Sequence, residues 1–315
     1  MKKSLLPGGG SKTILLSKRA NIFYLDKVKV HVRNERVVYQ IVRDDGLLDY
    51  NLPDCNTALL LLGKGSSITD AAIRALAKSG VVVGFAGTGG SPAHAMVDFV
   101  FLNPTDEYRP TEYCQSWVEM WQDPARKIEA AKKLQIQRVK QVMSQFSRYP
   151  RLQDEMINIP KEAAERFQKS VEMARNEQDL LLAEASWTKF LYKSMAQGMK
   201  VDDFVRDHGV GSNIINGFLD QGNYLMYGLA TVALHALGIP PAFALVHGKT
   251  RRGALVFDIA DICKDAYVMP RAFYWGTCKY PGNRDQAFRT ELMAACQKDE
   301  VLDTMINTIK SLINR

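Results

Sequence analysis

A chain of 315 residues has room for two domains of roughly 150 residues each, and with 46% hydrophobic and 24% charged residues it can bury a core and is not a disordered polymer. Lys and Arg number 41 against 34 Asp and Glu, a net charge of +7 and a pI near 9.0. That excess favours a polyanionic partner, nucleic acid or an acidic membrane surface, and it excludes a strongly acidic protein; ordinary solubility would account for it equally well.

From about residue 13 to 62 short apolar runs dominate: Asn21-Ile22-Phe23-Tyr24-Leu25, then Val28, Val30 and Val32, then Val37-Val38-Tyr39-Gln40-Ile41-Val42. Asn34-Glu35 between the last two runs is placed as a hairpin turn. A helix is expected over residues 70–78, with Thr69 as N-cap and Gly80 just past its end. Val81-Val82-Val83-Gly84-Phe85 reads as a further buried strand, and Gly87-Thr88-Gly89-Gly90-Ser91-Pro92 closes the unit.

Beyond about residue 95 the period becomes helical. Asp123-Pro124, a cap followed by proline at the first helical position, opens a helix to about Arg148, and Pro160 opens another toward Arg175. Helices are expected over 177–198, 212–237, 253–269 and 284–313, the last broken near Asp299, with Pro240-Pro241 and Pro270 as stops. The expected fold is α+β: a small N-terminal β-rich domain (1–95) followed by a larger all-helical domain (96–315).

Five scattered cysteines (Cys55, Cys114, Cys263, Cys278, Cys296) give no zinc spacing, and their odd number argues against a closed disulfide framework and for a reducing compartment. The basic start lacks the apolar stretch of a signal peptide, and no run reaches the ~20 apolar residues of a membrane span; a cytoplasmic location without membrane contact is expected. Gly63-Lys64-Gly65-Ser66 fails as a phosphate loop, because Ala58 and Gly65 stand where a glycine and a hydroxyl are required. Gly87-Thr88-Gly89 precedes no helix, and no Gly-x-Ser-x-Gly elbow exists.

Three places in the helical part carry polar groups that packing alone would not choose. Helical spacing puts Glu184 on the side of Leu180, Leu181, Trp187, Thr188 and Leu191. An inward carboxylate needs a partner or a metal, and Lys189 or Arg175 could serve as the partner. Asp258 and Asp261 are three apart on one helix face, about 5–6 Å between Cβ atoms, where two anions repel by about 3 kcal/mol at an effective dielectric near 20. A divalent cation relieves that repulsion; a solvated acidic face with Asp265 and Lys264 would also tolerate it. His247 ends the apolar run Pro241-Ala242-Phe243-Ala244-Leu245-Val246 and is followed by Gly248, a junction that suits either a structural histidine or a ligand. One histidine with two or three carboxylates matches Mg²⁺ or Mn²⁺ better than zinc.

The run from Leu245 to Asp261, His247 followed by Asp258-x-x-Asp261, resembles the signature of the CRISPR-associated protein one family, the CRISPR adaptation integrase. Gly222-Asn223-Tyr224-Leu225-Met226-Tyr227-Gly228 and Gly238-Ile239-Pro240 are similar to the family's segments before the histidine, and Ala183-Glu184-Ala185 matches its earlier glutamate, with Glu177 two turns upstream. Ser17-Lys18-Arg19-Ala20-Asn21-Ile22 and Glu107-Tyr108-Arg109-Pro110-Thr111-Glu112-Tyr113 resemble the type I-F branch. The resemblance implies a metal-dependent endonuclease and integrase that joins DNA 3′-hydroxyls to a CRISPR repeat by transesterification. It also implies Mg²⁺ or Mn²⁺ at Glu184, His247 and Asp261, with Asp258 as a further ligand or the orienter of a bound water. Its partners would be double-stranded DNA (captured fragment and repeat), a second copy forming a homodimer through the β domain, and a second adaptation protein fused to the helicase-nuclease. Lys249, Arg251 and Arg252 would hold flanking phosphates. The helix from Pro124 would offer Arg126, Lys127, Lys132, Lys133, Arg138, Lys140 and Arg148 as a DNA track. A branched-DNA nuclease that does not integrate, and a non-catalytic DNA-binding scaffold, are the alternative readings.

Overall fold

The structure is a computed structural model and describes residues 19, 21–43, 46–85, 100–102, 111–155, 157–207, 213–248 and 253–313. Among the described residues two four-stranded sheets form the N-terminal part. In one, β1 (Asn21–Leu25), β5 (Thr57–Leu62) and β7 (Val82–Phe85) run parallel, and β8 (Val100–Leu102) adds antiparallel to β7. In the other the order is β4 (Gly46–Asn51), β3 (Arg36–Arg43), β2 (Lys29–Arg33), β6 (Ser67–Ile68). The β2–β3 hairpin turns where expected: Asn34 and Glu35 both have positive φ (50° and 62°), the geometry whose twist matches that of the strands it joins. Helix α1 (Asp70–Lys78) starts at Thr69, whose side chain accepts from Ala72 N.

Strand β5 explains its own leucine run. Every residue is buried, Leu60 and Leu62 in the N-terminal core with Val30, Leu76 and Val83, and Leu59 and Leu61 in the core shared with the helices. A strand covered on both faces needs no polar alternation.

The helices follow: α2 (Thr111–Gln122), α3 (Pro124–Phe146), the short α4 (Pro150–Asp154), α5 (Lys161–Met173), α6 (Glu177–Gly198), α7 (Ile214–Ala236), α8 (Ala254–Thr277), α9 (Arg284–Lys298) and α10 (Val301–Ile313). Capping residues fix several starts: Asp123 accepts from Ala125 N and Arg126 N, Asn176 from Asp179 N, Asn213 from Asn216 N. The break near Asp299 is present, with Glu300 in the left-handed region at φ 49°. The strand region followed by a mostly helical one is the expected fold class.

Helix α8 is the axis of the molecule, packed chiefly on α7 and α3, with no exposed residue from 254 to 276. Gly222 of α7 lets it come close: a Cβ there would lie 2.3 Å from Val268. Pro270, expected to stop α8, does not. It costs about 3 kcal/mol by deleting one ladder donor, yet Ala272, Phe273 and Trp275 beyond it are buried, and full burial of one large apolar side chain returns about 1.5–3 kcal/mol. The Arg271 guanidinium donates to Tyr267 O (2.9 Å) on the disturbed turn. Among the described residues no helix is long and apolar enough to cross a membrane.

Candidate metal centre

Four segments meet on one side of α8. Asp258, Asp261 and Asp265 lie at i, i+3 and i+7 on one helix face; they are 4%, 4% and 3% exposed, so this is not the solvated acidic face that the sequence also allowed. Helix α6 supplies Glu184, α3 supplies Gln135 and Arg138, and the irregular segment between α7 and α8 supplies His247.

The stretch Ala244-Leu245-Val246 of that segment is buried without being regular, so the backbone groups there need side-chain partners. Trp117 Nε1 donates to Phe243 O (3.1 Å) and Trp121 Nε1 to Ala244 O (2.8 Å), both from α2. From α8, Asp258 accepts from the backbone N–H groups of Leu245 (2.6 Å), Val246 (3.1 Å) and His247 (3.3 Å). Its Oδ1 also takes a hydrogen bond from His247 Nδ1 at 2.6 Å. A carboxylate only accepts, so Nδ1 carries the proton and Nε2 is left as the donor atom facing inward, 3.9 Å from Glu184 Oε2. Asp258 is thereby committed to holding the histidine and its loop. The same bond to Asp258, working against burial, raises the pKa of His247 above its ordinary value, with Asp261 and Glu184 adding to it.

Glu184, His247 and Asp261 each present one ligand atom, all within 4.8 Å of one another. Around them Arg138 NH1 lies 2.9 Å from Glu184 Oε1 and 3.6 Å from Asp261 Oδ2, and Lys264 pairs with Asp261 Oδ1. Burial works to raise the Glu184 carboxyl, but Arg138, Lys264 and His247 outweigh it and hold it at about 2. Burial pushes Asp261 the other way, up to about 6, with Glu184 adding to the rise and Lys264 and Arg138 opposing it. The residues fit a divalent cation. Among the described residues four carboxylates (Glu184, Asp258, Asp261, Asp265) meet two permanent cations, Arg138 and Lys264, and Asp258 is taken up by His247. Of the two buried oxygens of Asp261, Oδ1 meets Lys264, whereas Oδ2 takes no hydrogen bond among the described residues and has Arg138 NH1 3.6 Å away. Two oxygens and one imidazole suit Mg²⁺ or Mn²⁺.

Of the residues singled out from sequence, Glu184, His247, Asp258 and Asp261 come together. The upstream Glu177 does not; it pairs with Lys127 on α3. Neither Lys189 nor Arg175 is the partner of Glu184. Lys249, Arg251 and Arg252 lie outside the described residues. Arg138 does not belong to a surface track: it is 1% exposed and bonds into the acid cluster. Its place on the buried stripe of Ala131, Leu134 and Val142 was the signal for this. Lys132, Lys133 and Lys140 sit on the opposite face of α3, lining a groove of ≈ 820 Å³ with Thr304, Asn307, Thr308 and Ser311 of α10; Lys132 also pairs with Glu129 (2.9 Å).

The family model for CRISPR-associated protein Cas1 matches residues 23–280. The CRISPR-associated endonuclease Cas1 of Pseudomonas aeruginosa is 42% identical over 315 residues, covering 96% of each chain. Among solved structures, a TtCas1–DNA complex superposes with a TM-score of 0.69 at 23% identity over 94% of this chain and 92% of that one. A casposase bound to its integration product does so with a TM-score of 0.69 at 15% identity, over 93% and 90%. The family match runs from the first strand through the whole of α8, and the Pseudomonas relative is alike from end to end, so the chain belongs to the Cas1 family of CRISPR-associated endonucleases.

Proposed function

We propose that the protein is a divalent-metal-dependent DNA endonuclease and integrase that inserts new spacers into a CRISPR array. The observation that carries this reading is the Glu184–His247–Asp261 cluster, with Asp258 fixing the histidine. The casposase neighbour, caught with an integration product, and the DNA-bound TtCas1 support it as proteins of the same fold. In the reaction a DNA 3′-hydroxyl attacks a phosphorus of the repeat, a new P–O bond forms as the bond to the repeat's 3′-oxygen breaks, and the hydroxyl proton ends on the released oxygen. One diester replaces another, so no energy source is consumed. A divalent ion bound at the cluster would supply charge stabilisation for the exchanging phosphodiester. Glu184, His247 and Asp261 would hold it, and Asp258 keeps His247 in the tautomer whose Nε2 can bind. The protein is read as a cytoplasmic one of the type I-F branch. Lys249, Arg251 and Arg252, next to His247 in sequence, would hold flanking phosphates.

For partners, the exposed apolar side chains Val42, Leu47 and Leu48 on the β3–β4 pair, with β4 at a sheet edge, support a homodimer through the strand region. A second adaptation protein, in this branch fused to the helicase-nuclease, would join two such dimers.

A strand-transfer assay with Mg²⁺ or Mn²⁺, a short duplex bearing free 3′-hydroxyls and a repeat-containing target, decides among the readings. Joined product is expected. Cut product alone would favour the branched-DNA nuclease, and neither would leave a scaffold. The exposed Lys133 and Lys140, with Lys132 beside them, are proposed to hold duplex backbone. Replacing all three by alanine should flatten the log–log dependence of DNA affinity on salt, each lost phosphate contact removing roughly 0.9 from the slope. An unchanged slope assigns the groove to something other than DNA.

A further inference from the structure

A buried arginine in contact with three carboxylates is more than the fold requires. Arg138 uses every edge of its guanidinium: Nε donates to Asp265 Oδ2 (2.6 Å), NH2 lies 2.6 Å from the same oxygen and donates to Thr188 Oγ1 (3.1 Å), and NH1 faces Glu184 Oε1 at 2.9 Å and Asp261 Oδ2 at 3.6 Å. Two of those three acids are the ones assigned to the metal. We propose that Arg138 is a positioning residue of the metal centre, a built-in cation that holds Glu184 and Asp261 assembled before the ion arrives and weakens the ion's hold once it is bound. The inference rests on the metal-site reading above.

Two physical effects carry it. The first is occupancy: Arg138 NH1 pairs with Oε1 of Glu184, while Oε2, the oxygen nearer His247 Nε2, takes a long hydrogen bond from Gln135 Nε2 (3.4 Å) and keeps a lone pair for a ligand, so the glutamate would meet the ion through Oε2. A lysine, a single point charge on a flexible stem, could not span Glu184 and Asp265 together. The second is charge. Among the described residues Lys264 is the other permanent cation beside Asp261, so without Arg138 the four acids would have one of the two described cations left. The fold would then depend on protons or a metal to neutralise them. The guanidinium also repels a divalent ion held at the same carboxylates. Removing it loosens the empty site and tightens the loaded one, whereas losing a merely structural ion pair would lower stability and leave metal affinity alone.

The test is Mn²⁺ binding to the purified full chain, followed by the free-ion electron paramagnetic resonance signal, together with melting midpoints with and without Mn²⁺. Arg138→Gln should melt lower than wild type when metal-free, gain more from Mn²⁺, and bind Mn²⁺ on the order of tenfold or more tightly. Arg138→Lys, which keeps the charge, should bind Mn²⁺ as wild type does and melt between the two. Should Arg138→Gln fold only in the presence of Mn²⁺, the proposal stands. If it folds under neither condition, Arg138→Gln with Asp265→Asn, which restores the charge balance, is measured instead and must again bind Mn²⁺ more tightly. Equal Mn²⁺ affinity in wild type and the glutamine variant overturns the role of Arg138 and leaves the metal site in place. A wild-type chain whose Mn²⁺ binding does not depend on Asp261 overturns both.

Discussion

Glu184→Gln, His247→Ala and Asp261→Asn are each expected to abolish metal-dependent cutting and joining while duplex binding persists. A lost ligand forfeits several kcal/mol of charge stabilisation in the transition state, and at 1.36 kcal/mol per factor of ten that amounts to about 10³-fold or more in rate. Stability separates the two carboxylates, because their environments push them in opposite directions. Glu184 is held at about 2 and so contributes stability that is present above its ordinary range and lost as pH falls toward 2; Glu184→Gln should melt lower than wild type at neutral pH. Asp261 is raised to about 6, so whatever stability it lends is present below its unfolded value and lost as pH rises through 6. At pH 8 metal-free Asp261→Asn should therefore melt no lower than wild type, and any advantage should vanish below pH 6. Melts of the metal-free proteins between pH 5 and 8, paired with the strand-transfer assay, check both. If both variants melt early at pH 8 and still join DNA, the pair are packing residues and the mechanism proposed here is wrong.

Much of the fold was legible because local rules and tertiary packing agree. Asn34-Glu35 turns, Thr69 caps α1 and Asp123 caps α3 as expected, and α6 runs over residues 177–198 as its pattern indicates. The failures occur where packing outweighs a local rule. Pro270 is a helix breaker by itself, but it sits in a helix buried on all sides. Helix α2 escaped notice because its buried stripe is short: of twelve residues only Trp117 and Met120 are fully inside.

The site divides along the same line. Asp258 and Asp261 were readable as a pair by spacing, and Glu184 as an acid on an inward face. What spacing could not assign was the division of labour, since whether an aspartate binds a metal or a histidine depends on where a separate loop lies. Arg138 was misjudged as one basic residue of a basic helix. Periodicity puts it on the buried face, but a charge there makes sense only once the acids of α6 and α8, 46 and more positions away in sequence, are seen to meet it.

That division of labour gives the last expected result, for Asp258→Asn. The substitution keeps the size of the side chain and removes the charge that takes four hydrogen bonds, three from the backbone N–H groups of Leu245, Val246 and His247 and one from the imidazole. An asparagine has one accepting oxygen. Placed at Oδ2 it can still take the bonds from Leu245 and Val246, but its amide then points two donors at His247 N and Nδ1. The ring answers by moving its proton: Nδ1 becomes the acceptor and Nε2 the carrier of hydrogen, so the atom facing Glu184 and Asp261 can no longer bind a metal. Loss of such an orienting partner costs about 10–100-fold in metal affinity, and each bond forfeited to a charged acceptor costs about 1.5–3 kcal/mol of stability. Mn²⁺ titration and the ¹⁵N shifts of the His247 ring read the two effects separately. The expected spectrum has the proton on Nε2 in Asp258→Asn and on Nδ1 in wild type. A variant that melts lower but keeps the wild-type tautomer and Mn²⁺ affinity would show that Asp258 holds the loop alone, with His247 oriented by something else.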